Sequence, residues 1–215
     1  MRAAFPIEGN PWPHDMTISV SDSPSQVMEV LWVREAWGLH PVGDVPPLLV
    51  DPPADVYETS DAASWEDAWP GMWDAVVRHA GIIIDPASLQ EIAATPAGSP
   101  VRAALFAQLV GPTWRDQFGD AAFDARYSAW NQRLFEANNA ARARSLGEEP
   151  ERRSLDALVP AWEAGLARIV AIPCRGEHTR VLSDSALLVT AATRADPALY
   201  STALEWFAQR ADPEE

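Results

Sequence analysis

Cys174 and His178 are the first pair of residues whose types and spacing could support chemistry. They are separated by three residues in the segment CRGEH, a spacing that suits two metal ligands or a thiol nucleophile and its base. A structural zinc site needs four ligands, and the other three histidines of the chain form no second local pair. The alternative is a turn at Gly176 with Cys174 as a small buried hydrophobe, and the sequence favours it. We therefore predict no metal and no cofactor.

Arg194 completes the set of catalytic candidates. If the protein is an enzyme for a small molecule, we expect carboxylates, His178 and Arg194 to line a cleft beside a C-terminal sheet. All 16 basic residues are arginine, which excludes pyridoxal Schiff bases, lysine nucleophiles and the lysine-dependent phosphate sites of kinases and P-loop proteins. The G-x-S-x-G and G-x-G-x-x-G signatures are also absent. An enzyme is the second hypothesis for function.

Three tryptophans, Trp65, Trp69 and Trp73, recur at intervals of four in the most acidic part of the chain. Glu66 and Asp67 lie between them, and indoles framed by carboxylates would suit a basic or neutral protein surface through cation–π contact and charge pairing. The first hypothesis is therefore a non-catalytic protein-interaction module with an acidic, Trp- and Pro-rich N-terminal half. The alternative is that the three indoles form a helical stripe packed in the core.

The charge of the chain is unevenly distributed. The formal net charge is −15, and the first hundred residues contain 15 acidic residues against 3 arginines, whereas the remainder contain 16 against 13. This negative field repels phosphates and anionic lipids, so we expect no nucleic-acid binding through a basic patch and no membrane partner. An acidic mimic of nucleic acid, which would occupy a basic DNA-binding surface, is the third hypothesis.

Length and composition indicate a soluble globular protein. The 215 residues, 47% hydrophobic and 22% charged, suffice for a self-contained core. A single cysteine excludes an intramolecular disulfide, and prolines and charges interrupt the first fifteen residues where a signal peptide would be apolar. We expect a cytoplasmic single domain over residues 1–215, with a polar linker at 145–154 as its best candidate for an internal boundary.

The elements that would position these residues follow from caps, prolines and apolar periodicity. Helices are predicted at 24–37, from 64 with a kink or a division at Pro70, and at 86–94, 100–110, 120–144, 155–166 and from 197. Strands are predicted at 17–20, 168–173, 179–182 and 186–190. Strands and helices do not alternate regularly, which argues against Rossmann and TIM arrangements. The predicted fold is α+β, a helix-rich domain with a small, mainly antiparallel sheet from an N-terminal strand and a C-terminal β-hairpin.

Overall fold

The computed structural model describes residues 11–54, 56–57, 59–144 and 149–210, without the side chains of 141–144. The first part of the described chain contains β1 (Ser19–Asp22), α1 (Ser25–Ala36), α2 (Ala62–Ala80), α3 (Pro86–Ala94), α4 (Pro100–Val110), α5 (Trp114–Phe118) and α6 (Ala125–Arg144). The second part contains α7 (Pro150–Arg153), α8 (Leu155–Glu163), β2 (Arg168–Ile172), β3 (Thr179–Ser183), β4 (Ala186–Thr190), α9 (Ala191–Ala195) and α10 (Pro197–Arg210). The helix-rich α+β class is confirmed. Residues 145–148 of the predicted linker lie outside the described chain.

The four strands form one sheet in the order β1-β2-β4-β3. The pairs β1/β2 and β2/β4 are parallel, and only β3/β4 is antiparallel. The prediction of a mainly antiparallel sheet is therefore wrong. β4 lies between β2 and its hairpin partner β3. The connection from β2 to β3 therefore passes over the position that β4 occupies, and β4 then returns beside β2 and runs in the same direction.

Helices cover both faces of this sheet. Val170 and Ile172 of β2 belong to a core cluster shared with α1 and α2, whereas Ile169 belongs to a second cluster shared with α8 and α10. β4 divides its side chains in the same way, with Leu188 in the first cluster and Leu187 in the second. Strands that are buried on both faces have continuous apolar sequences, and such sequences are typical of parallel strands.

α1 and α2 form the layer on the first face. α1 is apolar nearly all round and most of its residues are buried, as its predicted central position requires. α2 is continuous across Pro70, so a division of the helix there is wrong. A proline normally removes a backbone hydrogen bond from the helix interior. Here the buried stripe from Trp65 to Val76 packs against α1 on both sides of Pro70 and keeps the two halves in one helix.

Arg34 fixes the proline-rich segment that follows α1. Its side chain is 3% exposed and donates to the carbonyls of Pro46 and Pro47 at 2.6 and 2.9 Å. It also pairs with Glu35 at 2.8 Å, and the same carboxylate oxygen accepts the backbone N–H of Leu49 at 2.6 Å. A buried arginine is tolerated because its charge and several donors are matched in this way. The extended segment is thereby held against the end of β2.

Candidate functional site

Cys174 lies in the connection from β2 to β3, where the proline-rich segment crosses the chain. It is fully buried and forms an isolated antiparallel bridge with Leu49, and Arg175 N donates to Leu48 O beside it at 2.8 Å. Burial raises the pKa of the thiol to about 12, so it stays protonated at physiological pH. A thiolate is required both for nucleophilic attack and for metal binding. Cys174 therefore behaves as the small buried hydrophobe that the sequence favoured.

His178 is half-buried and directly precedes β3. Its carbonyl accepts the backbone N–H of Thr190 at 3.1 Å, which links the connection to the end of β4. Burial lowers the pKa of the imidazole. Within the described chain its Nε2 atom is buried without a hydrogen-bond partner, and no hydrogen bond joins His178 to Cys174. The structure therefore does not assemble a thiol and base pair from these two residues.

The burial of Cys174 makes its reactivity a direct test of this part of the structure. We expect the native protein to react with a thiol reagent at pH 8 at least ~100-fold more slowly than free cysteine, because both thiolate formation and access are suppressed. In guanidinium the single thiol should react at the rate of free cysteine. Val42→Cys places a second thiol at a position that is 87% exposed and serves as the reactive control. Rapid modification of native wild-type protein would contradict the buried position.

Arg194 on α9 is held by carboxylates of the protein itself. Its Nε and Nη2 donate to the two carboxylate oxygens of Glu151 at 2.7 and 2.9 Å, and its Nη1 donates to Asp22 at 3.1 Å. The Tyr200 hydroxyl donates to Glu151 at 3.0 Å. Burial, with the negative charge of Glu151, raises the pKa of Tyr200 well above its ordinary value and keeps this donor protonated. The cluster ties β1, α7, α9 and α10 together and leaves Arg194 no unmatched charge for a substrate anion.

The cleft beside these candidates is small. Its volume is about 230 Å³, below the roughly 300–1,000 Å³ of ordinary ligand sites. It is lined by Glu177, Thr179, Thr193, Leu199, Thr202, Ala203 and Trp206. A second cleft of about 340 Å³ is lined by Ala164, Val181, Ser183, Asp184, Phe207 and Arg210. Neither cleft is lined by Cys174, His178 or Arg194, although the first contains the sequence neighbours of the last two.

The tryptophan stripe of α2 lies in the core. Trp65, Trp69 and Trp73 are 3%, 0% and 1% exposed, and Trp69 and Trp73 stack with their ring centroids 5.4 Å apart. Trp65 makes edge contacts with Trp37 and Trp114 at 5.3 and 5.8 Å. The indoles are enclosed, so they form no open aromatic groove, and the alternative interpretation of a core stripe is the one that the structure supports.

Glu66 and Asp67 take different positions beside this stripe. Glu66 is half-buried and accepts the backbone N–H of His40 at 2.8 Å, which fastens the segment after α1 to α2. Asp67 is exposed. Both residues belong to α2, and of the two only Asp67 is exposed.

Four acidic residues of the described N-terminal half form ion pairs of 3.3 Å or less with arginines from the C-terminal half. These pairs are Arg115 with Glu29 at 3.1 Å, Arg180 with Asp74 at 2.7 Å and with Asp44 at 3.3 Å, and Arg194 with Asp22 at 3.1 Å. The uneven charge of the sequence therefore serves in part to join the two halves of the fold. The negative surface is smaller than the sequence alone indicates.

A helical hairpin formed by α3 and α4, residues 82–110, is the part of the structure that sequence reasoning did not single out. Each helix begins as its sequence predicts: Asp85 accepts from Ala87 N at 2.9 Å and Ser99 accepts from Arg102 N at 3.2 Å, with proline at the first helical position. Arg102 also donates to Thr95 O at 2.9 Å and so crosses from α4 to the end of α3. The two helices contact each other.

The base of the α3–α4 hairpin is closed by His79 and Gly111. His79 Nε2 lies 3.1 Å from the carbonyl oxygen of Leu109, which brings the end of α4 beside the end of α2. Gly111 has a φ of +78°, and a Cβ atom there would lie 2.2 Å from the imidazole ring. A glycine is therefore required at this position. The two ends of the hairpin lie close together where it joins the rest of the structure.

Most of the α3–α4 hairpin is open to solvent. In α3 only Ile92 is buried, in α4 no residue is, and neither core cluster contains any residue of 82–110. The exposed large apolar residues of the hairpin are Ile82, Ile83, Ile84, Leu89, Val101, Phe106 and Val110, all between 42% and 61% exposed. The sequence did contain a signal: a helix as apolar all round as α4 normally lies inside a protein.

Comparisons with known proteins add no analogy to this geometry. No family model, curated protein or solved structure matches the chain.

Within the described residues, no group of three or more His, Cys, Asp and Glu side chains is placed to hold a metal ion. In the same part of the chain, no helix is long and apolar enough to cross a membrane.

Proposed function

We propose that this protein is a non-catalytic protein-interaction module and that the α3–α4 hairpin is its contact element. The partner is a protein with an apolar helical face. The observation that carries the proposal is the exposure of nearly every side chain of two helices that are rich in large apolar residues. The proposed contact element lies away from the buried tryptophans on which the first hypothesis rested.

The lengths of the two helices support a covered hairpin. α3 has 9 residues and α4 has 11, and isolated helices shorter than about 12–15 residues are marginal in water. Most helices of this length owe their stability to packing of an apolar face. Completing the burial of a half-exposed isoleucine or leucine contributes roughly 1 kcal/mol. A partner that covers several of these side chains would therefore stabilise both the complex and the hairpin.

The charge of the α3–α4 hairpin also favours a protein partner with a neutral face. Its 29 residues contain only Asp85, Glu91 and Arg102 as charged groups, in the middle of an acidic half-chain. Interface cores are depleted of charged residues and enriched in aromatic residues, Met and Arg. Phe106, with the Arg102 guanidinium 5.6 Å from its ring centroid, supplies such a pair in the middle of α4.

The catalytic alternative receives less support from the same geometry. The thiol of Cys174 is buried and protonated, the charge of Arg194 is matched by Glu151 and Asp22, and the adjacent cleft is about 230 Å³. A reaction would need a group that contacts the substrate, and none of the three candidates lines that cleft. An interaction role requires only the surface that the hairpin already presents.

Site-specific photocrosslinking tests the proposal. A photoreactive amino acid is placed at Leu89 or Val101 of the full chain in its native cells, and at the exposed Glu205 on α10 as the control. We expect the same protein to be joined to both hairpin positions and not to the control. Binding of that protein to the purified chain should then weaken at least ~30-fold on Phe106→Ser, the loss typical of a central interface residue. Equal crosslinking at Glu205, or binding unchanged by Phe106→Ser, would overturn the proposal.

A further inference from the structure

We infer that the cleft between α9, α10 and the start of β3 binds a small primary ammonium cation. The cleft has a volume of about 230 Å³, and of its seven lining residues one, Glu177, is charged. A volume below that of ordinary ligand sites suits a ligand with few heavy atoms. None of the seven belongs to the α3–α4 hairpin, so the site goes beyond the proposed function and needs no protein partner.

The backbone on both sides of Glu177 is fixed to the end of β4. Thr190, the last residue of β4, donates its hydroxyl to the carbonyl of Gly176 at 2.7 Å and its backbone N–H to the carbonyl of His178 at 3.1 Å. Glu177 itself is exposed, and in the part of the chain that the structure describes it forms no ion pair. Its carboxylate is thus positioned by its neighbours, and its charge is available to a ligand. The cleft lies at the carboxyl end of a strand that is parallel to β2, the end at which open α/β sheets bind ligands.

Two of the three threonine hydroxyls in the lining already donate their hydrogens within the protein. The Thr190 hydroxyl donates to a carbonyl, so in its 2.8 Å contact with Thr193 the donor must be Thr193. The Thr202 hydroxyl donates to the carbonyl of Ala198 at 3.0 Å. Thr193 and Thr202 can therefore offer a ligand only oxygen lone pairs, and the third hydroxyl, that of Thr179, can rotate to accept as well. Such a lining selects a ligand that carries hydrogen-bond donors.

Trp206 adds an aromatic side chain to this set of acceptors. It is 44% exposed, and an indole attracts a cation to its ring face. Leu199 and Ala203, on the same helix, provide an apolar surface for a short alkyl chain. A carboxylate, oxygen lone pairs and an indole together match the charge and the N–H donors of an alkylammonium ion, whereas an anion would be repelled. The formal net charge of −15 adds to this preference, because a negative field raises the local concentration of cations.

Titration of the full chain with butylammonium chloride, followed by the NMR signals of the backbone amides of residues 176–179 and 199–206, tests this inference. Sodium chloride keeps the ionic strength constant. We expect saturable shifts, with a Kd at least ~10-fold lower than that of butan-1-ol, the uncharged analogue of equal length. Butyrate, which has the opposite charge, should produce no saturable shift.

Three variants assign the binding to named side chains. Glu177→Gln should weaken the binding of butylammonium at least ~5-fold and leave that of butan-1-ol unchanged, because it removes only the charge. Glu205→Gln removes an equal charge from an exposed position beside Trp206 that does not line the cleft, and as the matched control it should change the Kd less than ~2-fold. Trp206→Leu keeps an apolar side chain without a ring face and should weaken binding at least ~3-fold.

Each contrary result would overturn the inference. Equal binding of butylammonium and butan-1-ol would show an apolar cleft without a preference for cations. Equal weakening by the two glutamate variants would assign the attraction to the net charge of the protein. The absence of saturable shifts in the wild type would mean that the cleft holds no such ligand. The variants should keep the circular dichroism of the wild type, since the replaced side chains are exposed. Crosslinking at the α3–α4 hairpin tests the proposed function separately from all of these results.

Discussion

Replacing Trp69 by alanine is expected to lower the free energy of unfolding by about 3–5 kcal/mol, the usual cost of truncating a large buried aromatic residue. Trp69 is fully buried, stacks on Trp73, and donates its indole N–H to the carbonyl of Val30 at 2.8 Å. The guanidinium of Arg34 lies 5.6 Å from the centroid of its ring. The truncation would leave a cavity between α1 and α2, and the surrounding rings can fill it only in part.

Urea unfolding followed by circular dichroism measures this loss. Phe135→Ala is the matched control, because that aromatic residue is 60% exposed on α6 and its truncation should cost less than about 1 kcal/mol. The loss of unfolding free energy for Trp69→Phe should lie between those for Trp69→Ala and Phe135→Ala, since phenylalanine keeps part of the ring contact and loses the indole hydrogen bond. A loss for Trp69→Ala no larger than that for Phe135→Ala would mean that the indole is not enclosed. The stripe would then return to the surface as a candidate groove.

Replacing Glu151 by alanine is expected to lower the free energy of unfolding by about 3–5 kcal/mol as well, because it breaks a buried ion pair. Glu151 is 6% exposed and accepts both the fork of Arg194 and the Tyr200 hydroxyl. Its removal leaves the largely buried guanidinium of Arg194 with Asp22 as its remaining carboxylate partner in the cluster, and breaking a buried pair on one side is strongly destabilising. Glu151→Gln should cost less, since it preserves hydrogen-bonding atoms while it removes the charge.

Two comparisons make this second prediction specific. Asp51→Ala removes one carboxylate of an exposed pair with Arg133, at 3.9 Å, and should change the free energy of unfolding by less than about 1 kcal/mol. The double variant Glu151→Ala with Arg194→Met should lose less stability than the sum of the two single losses, because neither member of the Arg194–Glu151 pair is then left without the other. Additive losses, or equal effects of Glu151→Ala and Asp51→Ala, would show that the cluster is not coupled as its geometry indicates.

Local signals in the sequence predicted α3 and α4 best, whereas α5 was not predicted and α6 begins at Ala125 and not at 120. The bounds of α3 and α4 are confirmed at 86–94 and 100–110, because the Asp85 and Ser99 caps and the prolines that follow them are interactions within a few residues of the chain. Pro70 is the exception in α2. Its local tendency to break a helix is overcome by packing of the tryptophan stripe, which is a long-range contact with α1.

Strand direction and surface exposure depend on the whole fold, so the sequence predicted them less well. The runs Ile169–Ile172 and Ala186–Val189 contain no alternating polar residues, which indicates burial on both faces and thus parallel pairing, and this signal was available. The sequence could not show that the α3–α4 hairpin is open, since an apolar helix has the same residue pattern whether its own chain or another covers it. The pairing of acids and arginines between the two halves likewise depends on contacts far apart in sequence.

The parallel pairing of β1 with β2 has a consequence for how the protein is made. Ser19 and Arg168 are register partners 149 residues apart, so the sheet closes only after most of the chain exists. Synthesis at about 5–20 residues per second puts roughly 10–30 seconds between the appearance of β1 and that of its neighbour. During that interval α1 has no sheet to cover its apolar surface. Folding that depends on such distant contacts is slow compared with that of helical bundles. Until β4 has left the ribosome, the growing chain exposes the apolar surface of α1, to which chaperones can bind.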